Sequence, residues 1–352
     1  MMFKHVSLCL MAIGLTACAN TEHSVITKAS GVSDSLLEEK PVSVADSYAG
    51  NPDVQRFISQ LVEQHNYDKA RLELAFSHIQ VRPKVIEKSD NQPEVITPFY
   101  EYKTRFVNPS RAKLGREFAK RNAFWLRKAE QDFGVDSSVI VALIGVETYY
   151  GRITGSKDVF TSLTTLAFDY PRRKEYFQSE LEAYLLLARE EGWNIGDTKG
   201  SYSGAMGMVQ FMPSNYRKLA IDYDSDGHID LWQSDADAIG SVANYLKHHK
   251  WQTDQPWFVT AYVAEPDMVA KDINRGRVPD VDITAWSAVK VLPTQPFVSE
   301  KTGLIGLQTG PGEMSYWLAY ENFFTIMDYN PSRRYAMSVL ELAKSIGRYE
   351  VD

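Results

Sequence analysis

A mainly α chain of the α+β class is predicted by two features of the sequence. Apolar residues recur at helical spacing along most of its 352 residues, and only the stretch between Trp251 and Phe324 falls into short β-rich runs separated by Pro and Gly. A hydrophobic fraction of 44% suffices for a sizeable core, and the length suggests two or three folding units.

The first segment, MMFKHVSLCLMAIGLTAC, joins one Lys to a short apolar stretch and small residues before Cys18. This is the layout of a bacterial secretion signal over residues 1–17, too short to be a stable membrane span. Residues 18–45 are Ser, Thr, Glu and Val without period and read as a flexible tether. From Asn51 the pattern turns helical, with Val54, Phe57, Ile58 and Leu61, then Leu72, Leu74, Ala75 and Phe76. Arg82-Pro83 and Thr97-Pro98 interrupt it. The spacing predicts one helix from Pro109 to Phe133 closed by Gly134, and Asp136 or Ser137 offers the N-cap of the next. Further helices are expected over 172–191, 214–220, 235–249 and 332–347. The runs VPDVDITAW, SAVKVLP, PFVS and GLIGLQTGPG form the β-rich insertion.

Leu15-Thr16-Ala17-Cys18 resembles a lipobox, in which cleavage precedes the cysteine and the thiol of Cys18 carries a lipid. Ala19 rather than Asp follows it, which by the sorting pattern of lipoproteins favours the outer membrane. Cys9 leaves with the signal, so the mature domain has no disulfide and depends on packing. The formal net charge of -7 argues against a basic nucleic-acid-binding surface and points to a neutral or mixed polymer as partner.

In SSVIVALIGVETYYGR, positions 139 to 146 are Val, Ile, Ala, Leu and Gly, so this helix is apolar on every side and belongs in the core. A carboxyl at its end is conspicuous. Glu147 shares a face with Ile140, Leu143 and Ile144, and an apolar wall there would disfavour its charged form. A carboxylic acid kept protonated is what glycosidic cleavage requires, because the leaving oxygen must receive a proton as the bond breaks. The structural alternative is a buried Glu held by Arg152, Arg172 or Arg173.

Five further segments, PFYEYKTRF, TSLTTLAFDYPRRKEYF, KGSYSGAMGMVQFMPSNY, DYDSDGHIDLWQSDADAIGSVANYL and DYNPSRRYAMSVLELA, stand in consistent order around that helix. Together with GVETYYGR they resemble the membrane-bound lytic murein transglycosylase B family from about Val54 to Gly347. The resemblance implies a lysozyme-like helical core over 133–252, a flanking helical domain over 46–132, a small β domain over 253–327, and a C-terminal helix over 328–352 that completes the cleft. It implies Glu147 as the single catalytic acid/base, Gln210 as a glycan-binding residue and Ser201 beside the carboxylate. Tyr245, Tyr329, Asn330 and Tyr335 match further cleft positions, Tyr102 is a fourth aromatic candidate, and Met206 and Met208 would wall the groove. Gly204 and Gly207 permit the tight loop that would bring Gln210 to a sugar, where its amide can donate and accept. The chain departs from the family pattern at Asp169, where Asn is familiar, and at Val209.

Asp222, Asp224 and Asp226, followed by Gly227 and His228, reproduce the first half of an EF-hand loop, with His228 offering its carbonyl. Position 12 is Gln233 instead of Glu, so a standard loop cannot close. The family's lengthened loop uses a later acid, for which Asp237 is the choice, Asp235 a competitor and Asp230 an outer-shell acceptor. Calcium here would brace the core; no cofactor is expected for catalysis.

The expected reaction is cleavage of the MurNAc-GlcNAc bond of peptidoglycan glycan strands to 1,6-anhydro ends, by a monomer anchored through Cys18 at the periplasmic face of a Gram-negative outer membrane. Two rivals stand beside it. One is a hydrolytic muramidase using Asp169 or Glu175 as second acid, and the other is a non-catalytic glycan-binding lipoprotein.

Overall fold

The computed structural model describes residues 47–347, apart from 81 and 91–96. The proposed signal, Cys18 and the tether lie outside the described residues. No helix among the described residues is long and apolar enough to cross a membrane.

The helix predicted to be apolar all round, α7 (Ser137–Thr148), is the centre of the molecule: every residue from Ser137 to Val146 is buried. Asp136 caps it by accepting from the Ser138 amide at 2.9 Å. Around it stand α5 (Pro109–Arg121), α6 (Ala123–Phe133), α11 (Asp235–His248) and α13 (Arg333–Ile346), each packed against α7. Burying a side chain the size of Ile140, Leu143 or Ile144 stabilises by about 1.5–3 kcal/mol, so α7 is the main apolar anchor of the fold. α8 (Val159–Asp169) packs along α9 (Lys174–Glu190), which in turn packs against α10 (Pro213–Leu219). The N-terminal region adds α1 (Pro52–His65), α2 (Lys69–Ser77), α3 (Pro83–Asp90) and the single turn α4 (Phe99–Tyr102). Polar caps set the helix starts: Asn51 before Pro52, Asn108 before Pro109, Asp158 for α8 and Ser332 for α13.

The single helix predicted from 109 to 133 is two. The chain breaks at Asn122, whose amide donates to Asp235 at the start of α11 at 2.8 Å. Helical spacing continues through the break, so local sequence does not reveal it. A further helix, α12 (Glu321–Tyr329), also escaped prediction because it directly follows a strand.

Two short strands, β1 (Lys157–Asp158) and β2 (Lys199–Gly200), pair antiparallel beside the α8 start. The insertion is a five-stranded antiparallel sheet of β3 (Phe258–Val263), β4 (Val281–Asp282), β5 (Val291–Pro293), β6 (Lys301–Gly310) and β7 (Glu313–Ala319), in the order β4-β6-β7-β3-β5. It has its own hydrophobic cluster, Val259, Val269, Ile283, Trp286, Leu304 and Leu318 among others, while Ile305, Leu307 and Trp317 join the helical core.

Gly145 shows how tightly α7 is packed. A Cβ there would lie 2.6 Å from the ring of Tyr150, which fills the space between α5 and α7. Gly145→Ala is therefore expected to cost about 1–3 kcal/mol through overpacking, read as a lowered midpoint of thermal unfolding.

Candidate active site and metal centre

Glu147 sits one residue from the end of α7, half-buried, where the helix terminates in three successive left-handed residues: Tyr149 (φ 56), Tyr150 (φ 63) and Gly151 (φ 80). Two of these are non-glycine, a local cost of about 1–2 kcal/mol each that the surrounding packing must outweigh. The amides of Tyr149 and Tyr150 donate back to Gly145 and Ile144, which satisfies the helix end. Thr148 then pins it, donating to the carbonyl of Met208 at 2.7 Å and accepting from the Gly151 amide at 3.0 Å. The end of α7 is thus fastened to the loop SYSGAMGMVQF, and that loop forms one wall of a cavity of about 1050 Å³ into which Glu147 opens.

Glu147 accepts a hydrogen bond from the Tyr335 hydroxyl in the first turn of α13. Burial first, then the charge of Glu147, hold Tyr335 well above the ordinary tyrosine pKa, and the same two causes act on Tyr329. Tyr335 is therefore favoured as a neutral hydroxyl that donates to Glu147. Of the arginines considered as structural partners of Glu147, Arg152 lies over the ring of Tyr149 and Arg173 over the ring of Tyr176. Arg172 reaches Asp90 at 3.0 Å instead.

The cavity gathers Ser201, Gln210, Tyr245, Tyr329 and Asn330 with Glu147. Ser201 Oγ accepts from the Ala205 amide at 3.0 Å and lies 3.1 Å from Ser203 Oγ. Gln210 is held in a left-handed conformation (φ 50), and its amide donates to the carbonyls of Thr154 at 3.0 Å and Gly207 at 2.9 Å. Its donors are thus engaged by backbone, and only the carbonyl oxygen is left to serve a ligand, a narrower role than the donor-acceptor one predicted. Gly207 (φ 71) is required there because a Cβ would meet that of Leu231 at 2.6 Å. Tyr245 donates to the Asp328 carbonyl at 2.8 Å, and its ring stacks on His249 at 4.3 Å and tilts against Tyr329 at 4.7 Å. Tyr329 donates to the Val209 carbonyl.

Three predicted cleft residues are placed elsewhere. Tyr102 is only 1% exposed, packs on Phe106 at 5.1 Å and does not line the cavity. Met206 and Met208 are buried in the core, and the thioethers on the cavity are Met212 and Met314. Hydrophobic aromatic and sulfur side chains beside a cleft motif do not announce which side of the loop they occupy. The sequence also gave no sign of the opposite wall, where Asn274, Arg277, Gly306, Leu307 and Gln308 come from the β-sheet region, nor of Arg333 and Arg334. A second cavity of similar size, lined by Trp251, Trp257 and Phe258, contains none of the Glu147 group.

Asp222, Asp224 and Asp237 bring carboxylate oxygens within 4.8 Å of one another. Asp237 is 1% exposed and accepts from the amides of Tyr223 and Asp230, each at 2.8 Å. Burial pushes its carboxyl above the usual range, the two amides pull it back, and the charges of Asp224 and Asp222 add to the rise. Three acids so arranged fit a hard divalent cation with oxygen ligands. Asp226 accepts from the His228 amide at 2.9 Å and lies outside that trio. Asp235 is turned away to Arg121 and Asn122, and Asp230 accepts from the amides of Trp232 and Gln233.

Residues 49–344 match the family described as transglycosylase SLT domain. The chain is 35% identical over 365 residues to membrane-bound lytic murein transglycosylase B of Escherichia coli, covering 98% of both chains. The structure of Escherichia coli lytic transglycosylase SLT35 in complex with bulgecin A superposes with a TM-score of 0.78 at 36% identity, covering 87% of this chain and 98% of that one. The same protein in complex with calcium gives 0.76 at 36%, covering 87% and 97%. The likeness extends over nearly the whole chain, including the helix that carries Glu147 and the loop that carries Gln210, and this chain belongs to the lytic murein transglycosylase B family, peptidoglycan lytic transglycosylases of lysozyme-like fold.

Proposed function

We propose that Glu147 is the single acid/base of a lytic transglycosylase that cuts between MurNAc and GlcNAc and leaves 1,6-anhydro ends. The observation that carries this is one carboxyl, oriented by the Tyr335 hydroxyl, at the apolar end of α7 and open to a cavity large enough for several sugar rings. Protonated, Glu147 gives its proton to the bridging oxygen. The developing positive charge on the anomeric carbon is met by the acetamido group of the substrate itself, so no second carboxylate is needed. Ionised, Glu147 then takes the proton of the C6 hydroxyl as that oxygen closes on the anomeric carbon. Ser201, Gln210, Tyr245, Tyr329 and Asn330 hold the sugars, by stacking and by hydrogen bonds to acetamido groups.

Neither candidate second acid supports the hydrolytic reading. Asp169 accepts from Tyr48, Glu175 is exposed on α9, and neither lines the cavity. The deciding measurement is the mass of the muropeptides released by the purified protein: anhydro ends are lighter than reducing ends by one water. Release of reducing ends alone would replace the lytic reading with a hydrolytic one.

Asp222, Asp224 and Asp237 would hold a calcium ion that braces the loop between α10 and α11, supported by the calcium complex of the SLT35 relative. The His228 carbonyl and Asp226, which lies outside that trio, would complete this set. The domain segments 46–132, 133–252, 253–327 and 328–352 are part of the same reading, supported by the separate cluster of the β-sheet. So is a lipid on Cys18 at the periplasmic face of the outer membrane of a Gram-negative cell, for which the membrane-bound relative is the support, and the monomeric state belongs to the same proposal.

A further inference from the structure

A smaller cavity, of about 620 Å³, is bordered by Trp193 from the end of α9 and Trp232 from the segment that follows the acidic loop. One half-exposed tryptophan needs no account, but these two share a single concave site. α9 ends at the left-handed Gly192 (φ 67), and the Trp193 amide donates back to the Ala188 carbonyl at 2.7 Å, which fixes where that indole leaves the helix. Trp232 is held by its amide, which donates to Asp230 at 2.8 Å, and by its indole nitrogen, which donates to the Lys199 carbonyl at 3.2 Å. The two indoles meet edge to face at 5.6 Å, and both pack on the buried ring of Tyr216. Flat apolar surface is thus offered to the cavity on a rigid backing.

The polar lining narrows the ligand. Three carboxylates, those of Glu191, Asp197 and Asp230, border the cavity with one lysine, Lys199, and His228, so the lining disfavours an anion. Two of these acids are held by protein donors: Asp230 by the amides of Trp232 and Gln233, and Asp197 by the side-chain amide of Asn194 at 3.0 Å. A carboxylate has about four lone-pair sites, so each still has room to accept from a hydroxyl. Aromatic rings beside fixed acceptors, with the amides of Asn194 and Gln233 close by, suit the pyranose of a neutral N-acetylated sugar. The placement agrees. Lys199 borders this cavity and Ser201 borders that of Glu147, and two residues span at most about 7 Å of chain.

We infer that Trp193 and Trp232 form a second sugar-binding site, outside the cleavage cavity, which holds N-acetylated sugar rings of the strand being cut. The inference rests on the glycan-cleaving reading above for the identity of that strand. A second point of attachment raises the effective concentration of the strand at Glu147, so long strands are favoured over short ones with the chemical step unchanged.

The test labels the full chain with 5-fluorotryptophan, one fluorine for each of its seven tryptophans, and assigns two signals through Trp193→Phe and Trp232→Phe. Calcium is present throughout, because the Asp230 amide donates to Asp237 of the acidic trio. Among the described residues no tryptophan lines the Glu147 cavity, so a sugar bound there is not read directly. Titration with the N-acetylglucosamine tetramer should shift the Trp193 and Trp232 signals together, with one dissociation constant. Unmoved signals, or shifts confined to Trp251 and Trp257 of the other cavity, would overturn the site. Shifts caused by a lysine-containing peptide and not by the sugar would overturn its ligand. In cleavage assays Trp232→Leu should lower kcat/KM about tenfold on long strands, mainly through KM, and leave the shortest cleaved strand unaffected. Equal loss at both lengths, or loss at neither, would overturn the role in strand binding. If this variant does not fold, the fluorine titration decides alone. Sugar-induced shifts in a wild-type protein that cleaves no strand would remove the glycan-cleaving reading and leave the sugar site standing.

Discussion

Glu147→Gln is expected to reduce strand cleavage by about 10³-fold or more while leaving the thermal unfolding midpoint unchanged. The magnitude follows from the task assigned to one group: general acid catalysis supplies roughly 10²–10⁴-fold in a single step, and here the same carboxyl serves both as donor and as acceptor. The fold should not notice the change. Glutamine has the same shape, and its carbonyl can still accept from Tyr335, so the contact that orients the side chain survives. What disappears is the proton it gives and the charge with which it takes one back. Muropeptide release by the purified variant is the measurement. Activity within tenfold of the wild type in a folded variant would remove Glu147 from the reaction.

The second large effect is expected at the acidic loop. Asp237→Ala leaves the amides of Tyr223 and Asp230 without the acceptor they now share, and burying two unpaired donors costs about 2–4 kcal/mol. Wild-type protein should be stabilised by calcium and lose that stabilisation to a chelator, by about 2.7 kcal/mol at a calcium concentration a hundred times the dissociation constant. The variant should be less stable in both conditions and indifferent to calcium. Linkage adds a sign. Because the folded carboxyl titrates above its unfolded value, in chelator its contribution is greatest at low pH and falls as pH rises through the raised value. Thermal scans with calcium and with chelator check both points, and identical wild-type midpoints in the two would remove the metal from this loop.

Much of this was legible in the residues. The apolar run before Glu147, the polar cap at Asp136, and the alternate acids of the 222–228 loop each act over a few neighbours, so spacing alone exposes them. The break at Asn122 was hidden because its cause, Asp235, is 113 residues away. Tyr102, Met206 and Met208 were misplaced for a related reason: each is adjacent to the cleft in sequence, yet which side faces the cavity depends on what packs behind it. Asp237 was preferred to Asp235 from the sequence, and three dimensions add that Arg121 and Asn122 draw Asp235 away.

By itself the sequence determined the class of the fold, the family and the one carboxyl on an all-apolar helix, because helical period, caps and motif order are properties of residues close along the chain. Only the tertiary structure decided that Tyr335, 188 residues from Glu147, is its hydrogen-bond donor, and that Arg277 and Arg333 meet across the β-sheet side of the cleft. Those contacts are made by hydrophobic packing of distant elements, which positions polar groups without leaving any period in the chain.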